Sequence, residues 1–138
     1  MMLPAGFSLL ELVMVLLLMS MVLVVATPRW PTALLLGAQA ERLAQDIRYT
    51  QALAMQRGQR FTIRRTGEAT YTIVDDGNQP VTPAPPPLQG VAVDPFVLSF
   101  TAAMGEPEAA GPPIRLTMGE ESVTLRVTAR TGTVLLQP

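Results

Sequence analysis

The sequence predicts an α+β fold in which a long amino-terminal helix packs on an antiparallel β-sheet. Two changes in the spacing of apolar residues predict this class. Residues 7–27 are almost entirely apolar, and the apolar residues of 28–58 recur at the spacing of one helical face. From residue 59 to residue 138, apolar and polar residues alternate in short runs that end at turn residues. A helix laid across such a half-buried sheet forms an α+β layer.

The first half of the helix is long enough to cross a bilayer. From Phe7 to Ala26 there are 20 residues, and a hydrocarbon core of roughly 30 Å needs about 20 helical residues. Ser20 is the only polar residue between Leu12 and Ala26. Glu11 lies near the start, where an unpaired acid costs about 2.5 to 3.5 kcal/mol. We therefore expect a transmembrane half whose one acid requires a counter-ion.

The six residues before this helix form a candidate leader peptide, because Met1 to Gly6 is too short to fold and ends in a small residue. Cleavage between Gly6 and Phe7 would remove this leader. Two alternatives stay open. A secretory signal peptide would be cut after Ala26, although Glu11 interrupts the apolar stretch that such a peptide needs. The other alternative is a membrane anchor that is never cleaved.

The second half of the helix is amphipathic. From Thr32 to Arg57, apolar residues spaced alternately by four and three line one face. They are Leu36, Ala40, Leu43, Ile47, Thr50 and Ala54. On the opposite face, Arg42 and Asp46 are four residues apart and form a candidate ion pair. Gly58 directly follows the helical pattern and is a candidate carboxyl-terminal cap.

Two prolines, Pro28 and Pro31, interrupt the helical pattern between its two halves. A proline lacks an amide donor, and its ring clashes with the preceding turn of a helix. The interruption has two interpretations. It is either a helix break at Pro28, or the point where the chain leaves the membrane interface, which Arg29 and Trp30 also suit.

The rest of the chain predicts strands. A hairpin is expected from 61–64 and 69–74, joined by a turn at Thr66-Gly67. Residues 79–95 are rich in proline, which predicts a stiff exposed loop, with peptide recognition as the alternative. Four later segments alternate between apolar and polar residues and are separated by turns. They are Val97–Phe100, Ile114–Met118, Ser122–Thr128 and Thr133–Leu136.

The composition argues against an enzyme. The chain contains neither cysteine nor histidine, and all ten of its basic residues are arginine. It therefore lacks the ligands of a conventional zinc site, the base of a Ser-His pair and the amine of a Schiff base. We expect no catalytic residue, no metal and no cofactor. A membrane-anchored enzyme would depend on carboxylates such as Asp75 and Asp76, which are typical of a turn.

Charge is distributed unevenly along the chain. Residues 42–65 carry six arginines against one acid, whereas residues 68–138 carry three arginines against eight acids. A basic stretch of this kind favours a solvated face or a contact with an acidic subunit, a nucleic-acid backbone or anionic lipid headgroups. The candidate nucleic-acid contacts are Arg57, Arg60, Arg64 and Arg65.

The amino-terminal run Gly6-Phe7-Ser8-Leu9-Leu10-Glu11-Leu12-Val13 resembles the processing site of type IV pilins and type II secretion pseudopilins. This resemblance implies that the prepilin peptidase cuts after Gly6 and methylates the new terminus, giving N-methylphenylalanine at Phe7. It also implies that Glu11 meets the terminal amine of a neighbouring subunit during filament assembly. A buried pair of this kind sets register more than it adds stability. Pro28 falls where many type IV pilins have a helix-breaking proline.

Two downstream segments, Ala52–Ile63 and Leu98–Gly105, with a final strand pair broken at Gly132, resemble the GspH/FimT group of pseudopilins and minor pilins. The resemblance implies a pilin-like fold and a structural subunit of a type IV pilus or a type II secretion pseudopilus. Its implied partners are other pilins or pseudopilins in a filament, the prepilin peptidase, the inner-membrane assembly platform and membrane lipid. It implies a single-pass protein of the bacterial inner membrane, with a periplasmic carboxyl-terminal domain, that joins a filament after assembly.

The expected organisation is a leader peptide at 1–6, a transmembrane and assembly helix at 7–27, and a helix at 28–58 that continues into the soluble domain. An antiparallel β-sheet domain at 59–138 follows and contains the proline-rich loop. The alternative function is a DNA-binding minor pilin that acts in DNA uptake. Some FimT-like minor pilins bind DNA through a Gly-Arg-x-Arg motif, but both arginines are absent from Gly132-Thr133-Val134-Leu135.

Overall fold

The computed structural model describes residues 6, 8–25 and 31–138. The chain divides into two units, Met1–Trp30 and Pro31–Pro138. The first unit contains helix α1, and the second contains helix α2 and seven strands, so the α+β class is confirmed. The elements are α1 (Leu9–Val25), α2 (Thr32–Arg57), β1 (Phe61–Arg65), β2 (Tyr71–Asp75), β3 (Ala92–Val93), β4 (Val97–Phe100), β5 (Ile114–Met118), β6 (Glu121–Val127) and β7 (Val134–Gln137).

Helix α1 has 17 residues. The Ser8 carbonyl accepts hydrogen bonds from the backbone N–H groups of Glu11, at 2.9 Å, and Leu12, at 3.1 Å, which closes the first turn. Ser20 Oγ donates to the Leu16 carbonyl at 2.7 Å, so this polar side chain is satisfied within its own helix. Across 8–25 and 31–138, no helix combines the length and the apolar character needed to cross a membrane. Phe7 and residues 26–27 of the expected span lie outside the described residues.

Helix α2 carries the amphipathic stripe that the sequence predicts. All six residues of that stripe are buried, and they are joined by Ala44 and Leu53. The helix ends at Gly58, which has a φ of 63° and donates its backbone N–H to the Ala54 carbonyl at 3.1 Å. A glycine cap usually adopts a left-handed conformation and closes the last turn of the helix. The prediction that Gly58 is the cap is therefore confirmed.

The strands form two antiparallel sheets instead of the single sheet that the sequence predicts. Sheet A has the order β2-β1-β4, and sheet B has the order β3-β5-β6-β7. The division arises because β4 pairs back with β1, with Leu98 opposite Ile63 and Phe100 opposite Phe61. The 101–113 segment then connects to sheet B. Residues of α2 and of both sheets form one hydrophobic core.

The proline-rich segment is only partly an exposed loop. Pro83 and Pro86 are exposed, whereas Leu88, Val91 and Val93 are buried in the core. The Leu88 N–H donates to the Ala69 carbonyl at 2.9 Å, which fixes the segment to the β1–β2 turn. The expectation of an exposed stiff loop over 79–95 is therefore wrong for its second half, because apolar residues there are buried in the core.

One side chain of α2 connects the loops that leave the two sheets. Gln51 Nε2 donates to the Gly105 carbonyl and to the Thr131 carbonyl, both at 2.9 Å. A Cβ on Gly132 would lie 2.5 Å from Gln51 Nε2, and a Cβ on Gly105 would lie 2.9 Å from Gln51 Cγ. Both glycines also have a positive φ, which is 64° at Gly105 and 66° at Gly132. Only glycine therefore allows both loops to approach the helix this closely.

Candidate assembly helix and arginine surface

Helix α1 presents apolar side chains in every direction. Each side chain from Leu9 to Val22 is exposed, and the exposed fractions of the large apolar ones range from 46% at Val13 to 82% at Leu9. A helix that is apolar around its whole circumference requires an apolar environment, which is either lipid or other helices. The described part of the first unit does not provide such an environment, so the contacts of α1 must come from outside it.

Glu11 lies in the first turn of α1 and is exposed. A carboxylate at this position interacts favourably with the positive end of the helix dipole. Among the described residues it forms no ion pair. Gly6 is exposed, whereas Phe7 and Pro28 lie outside the described residues. Cleavage at Gly6, methylation of Phe7, the pairing of Glu11 and the break at Pro28 all stay predictions.

The first two of the four candidate arginines already have partners within the domain. Arg60 Nη2 lies 2.7 Å from Asp76 Oδ1, and its Nη1 lies 3.2 Å from Glu108 Oε1. The hydrogen bond to Glu108, followed by that to Asp76 and the charges of both acids, raises the pKa of Arg60 above its usual value. The guanidinium of Arg57 lies over the ring of Phe61, 5.7 Å from its centre. The two carboxylates offset the charge of Arg60 toward a phosphate backbone, whereas Arg57 keeps its charge while it packs on the ring.

Arg64 and Arg65 lie at the other end of β1. Arg64 is half-buried and stands between Thr72 and Val97 of the neighbouring strands. Arg65 Nε donates to the Gly67 carbonyl at 2.8 Å, and its side chain lines an open cavity of about 670 Å³. Arg60 and Arg64 are four positions apart along extended chain, which is about 13 Å. The structure therefore does not bring all four together at one point.

A tyrosine–carboxylate pair connects α2 to sheet A, and the sequence analysis missed it. The hydroxyl of Tyr71 donates to Asp46 Oδ2. Burial, followed by this hydrogen bond, raises the pKa of Tyr71 above its ordinary value. The expected pair of Arg42 with Asp46 is replaced, since Arg42 Nη2 donates to the Pro86 carbonyl at 3.4 Å. The aromatic residue at the start of a strand was the only signal in the sequence for this contact.

An apolar helix ahead of an α+β domain, in which a second helix packs on antiparallel sheets, is the arrangement of pilin-like proteins. The family described as Type II transport protein GspH matches residues 39–133, which is more than half of the chain. The chain belongs to this family and is therefore of the type II secretion pseudopilin class. No curated protein and no solved structure matches it. The matched residues begin within α2, so the assignment rests on the domain and is independent of α1.

Proposed function

We propose that the chain is a minor pseudopilin or minor pilin that the prepilin peptidase processes between Gly6 and Phe7. The mature subunit then assembles through α1 into a type II secretion pseudopilus or a type IV pilus. The single observation that carries this proposal is the exposed apolar surface of α1 with one acid, Glu11, in its first turn. Membership of the family described as a type II transport protein favours the secretion pseudopilus.

Cleavage supplies the charge that Glu11 needs. The new terminus at Phe7 carries an amine with an ordinary pKa near 7.7 to 8.0, so it is largely cationic at neutral pH. A cation beside a carboxylate in an apolar surround lowers the cost of burying either one. If the amine belongs to the preceding subunit, the pair forms only when the two subunits are displaced along the filament axis by one particular distance. The pair therefore selects the register in which α1 helices pack.

The proposal also assigns a location. The subunit is anchored once in the inner membrane through residues 7–27, of which α1 is the described part, and residues 31–138 lie in the periplasm until the filament forms. Arg29 is the only charge near the end of the apolar run, and the positive-inside rule alone would reverse this orientation. The processing motif is more specific than one flanking charge, so we keep the orientation that the motif implies.

Mass spectrometry of the chain extracted from membranes of its native host tests the proposal. The expected mass is that of a chain that begins at Phe7 with one added methyl group. Gly6→Val should leave the leader attached and prevent incorporation into filaments. Gly37→Val is the matched control, since Gly37 lies outside the motif and a Cβ there meets nothing within 4 Å. A wild-type chain that keeps residues 1–6 while joining filaments would contradict the proposal.

A further inference from the structure

Strand β7 lies at the end of sheet B, next to β6. The Thr128 N–H donates to the Thr133 carbonyl at 3.0 Å, so these two residues form a hydrogen-bonded pair. Hydrogen-bonded and non-hydrogen-bonded pairs alternate along antiparallel strands, and the register of β7 on β6 continues from this pair. The backbone N–H and C=O groups of Val134 and Leu136 therefore point away from β6, toward the outer edge of the sheet.

The other three sheet edges of residues 31–138 are covered by segments of the chain itself. Three backbone hydrogen bonds mark this cover, and they run from Val81 to Ile73 beside β2, from Glu108 to Ser99 beside β4, and from Val93 to Glu68 beside β3. Within the same residues, the backbone hydrogen bonds of β7 all go to β6. An edge strand that is left open presents a row of donors and acceptors to another chain.

The side chains of β7 do not oppose such pairing. Its sequence is Val-Leu-Leu-Gln, which contains neither a charged residue nor a proline. Charged residues and prolines are the usual means by which an edge strand avoids pairing with another chain. Leu135 is 50% exposed and Leu136 is 37% exposed. The edge of β7 thus combines outward backbone groups with apolar side chains that gain from being covered.

We propose that β7 is a self-association surface, on which β7 of a second copy of this chain pairs in the antiparallel direction. An open strand edge binds an extended segment, because such a segment matches its donors and acceptors. On a second copy, β7 is the one edge of residues 31–138 that its own chain leaves open. The same strand therefore meets itself, and such a contact is two-fold and closes as a dimer.

The two-fold relation also indicates the register. Val134 of one copy faces Leu136 of the other, because the outward backbone groups of both residues are then engaged within the strand. Leu135 faces its own counterpart in a non-hydrogen-bonded pair, in which the two Cα atoms are about 4.5 Å apart. The two exposed leucine side chains then cover each other.

The length of β7 sets the strength of this contact. The strand has four residues, which extend about 13 Å. A contact of this length buries less than the roughly 1,200 Å² at which stable interfaces begin. We therefore expect a weak, reversible dimer that has to be trapped covalently to be measured.

Disulfide crosslinking of the full chain in membranes tests the pairing. The chain contains no cysteine, so one introduced cysteine reports on one position. Leu135→Cys should form a disulfide-linked dimer under mild oxidation, because Cα atoms about 4.5 Å apart suit a disulfide. Gln137→Cys is the matched control, since this residue is exposed on the same strand. Its two copies would be about 13 Å apart along the strands.

The dimer yield from position 137 should be at least fivefold lower than the yield from position 135. Equal yields from the two positions would mean that the chains collide without a fixed register, and the proposal would be overturned. The absence of a dimer from position 135 would overturn it too. A disulfide from position 135 to a different protein, in place of the dimer, would show that another partner occupies the edge.

A proline separates backbone pairing from side-chain contact. Leu136→Pro, added to Leu135→Cys, removes an N–H that points outward and keeps the hydrogen bonds to β6, so the dimer yield should fall at least fivefold. Leu136→Ala removes the same side chain but keeps the N–H, and its yield should stay within twofold. Equal yields from these two variants would contradict strand pairing. Thermal unfolding monitors the fold, and if the proline unfolds the domain, positions 135 and 137 decide alone.

This inference goes beyond the proposed function and can fail separately from it. A chain that is cleaved after Gly6 and joins filaments, but gives no dimer from position 135, would keep the proposed function and remove the dimer. A chain that keeps its first six residues, but crosslinks at position 135 and not at position 137, would do the reverse.

Discussion

The two helices use apolar residues in opposite ways. Helix α1 exposes apolar side chains all around, whereas α2 buries one stripe against the sheets and carries its charged residues, with a few exposed apolar ones such as Leu34, on its other faces. The stripe of α2 is buried within the domain, so the hydrophobic free energy of its burial stabilises the folded domain. The surface of α1 has no such partner among the described residues of its own unit, so burial of that surface can stabilise contacts with lipid or with other subunits. Helix α1 is apolar at nearly every position, whereas the apolar residues of α2 recur with helical periodicity, and these two properties separate the roles.

The largest effect is expected from removing the one acid of α1. Glu11→Gln should abolish incorporation into filaments, because the terminal amine of the neighbour then loses its counter-charge. Membrane insertion and the stability of residues 31–138 should not change. Filament preparations probed for the subunit measure this effect. Glu120→Gln, which alters an exposed acid outside α1, is the control. Normal assembly of Glu11→Gln would contradict a role for the α1 charge in register.

The next largest effect concerns the buried stripe of α2. Ile47 is fully buried, and Ile47→Ala should cost the domain about 2 to 5 kcal/mol because it leaves a cavity. Leu34, on the same helix but 62% exposed, is the control, and Leu34→Ala should change the free energy of unfolding by about 0.5 kcal/mol or less. Urea unfolding of residues 31–138 measures both. Equal costs would mean that the stripe is not the face that stabilises the domain.

A smaller effect is expected where the loops approach α2. Gly132→Ala should destabilise the domain by about 1 to 3 kcal/mol, because it adds a clash to an unfavourable φ. Gly119 has nearly the same φ, 64°, but a Cβ there meets nothing within 4 Å, so Gly119→Ala measures the backbone cost alone. The difference between the two variants in urea unfolding isolates contact with Gln51. No difference would mean that the approach to Gln51 costs nothing.

The Tyr71 hydroxyl should make a pH-dependent contribution to the free energy of unfolding. Tyr71→Phe should cost about 1.5 to 3 kcal/mol at neutral pH, the usual range for a hydrogen bond to a charged group. Since the pKa of Tyr71 is raised in the folded state above its ordinary value of 10.0, this stability is complete below pH 10 and is lost as the pH rises beyond it. Unfolding of both proteins at pH 7 and at pH 11 tests this. A constant difference would contradict the pair with Asp46.

The smallest effect is expected for DNA. Because Arg60 is engaged by two carboxylates and Arg57 lies over an aromatic ring, we expect only weak affinity from residues 31–138. Replacing the four candidate arginines by glutamine should change it little. Gel-shift titration at low salt measures this affinity. Strong, salt-dependent binding that the replacements abolish would favour the DNA-uptake alternative.

Local patterns in the sequence predict the helices and strands. The features that these patterns do not predict depend on contacts between residues that are far apart in the chain. The α2 stripe and the bounds of β4 and β5 follow from spacing within a few residues, so they could be predicted. The return of β4 to β1, and the contact of Arg60 with Glu108 across 48 positions, depend on residues far apart in the chain. Burial of Leu88 in a proline-rich segment likewise depends on its neighbours in space.

The Gln51 amide has a consequence for cooperativity. Its single nitrogen joins the loop that leaves sheet A after β4 and the turn that precedes β7 in sheet B, and the two sheets share no strand. We therefore expect local opening of these two loops to be coupled through the Gln51 amide. Amide protons of both loops should show similar protection from exchange with solvent, and Gln51→Ala should let each loop open on its own.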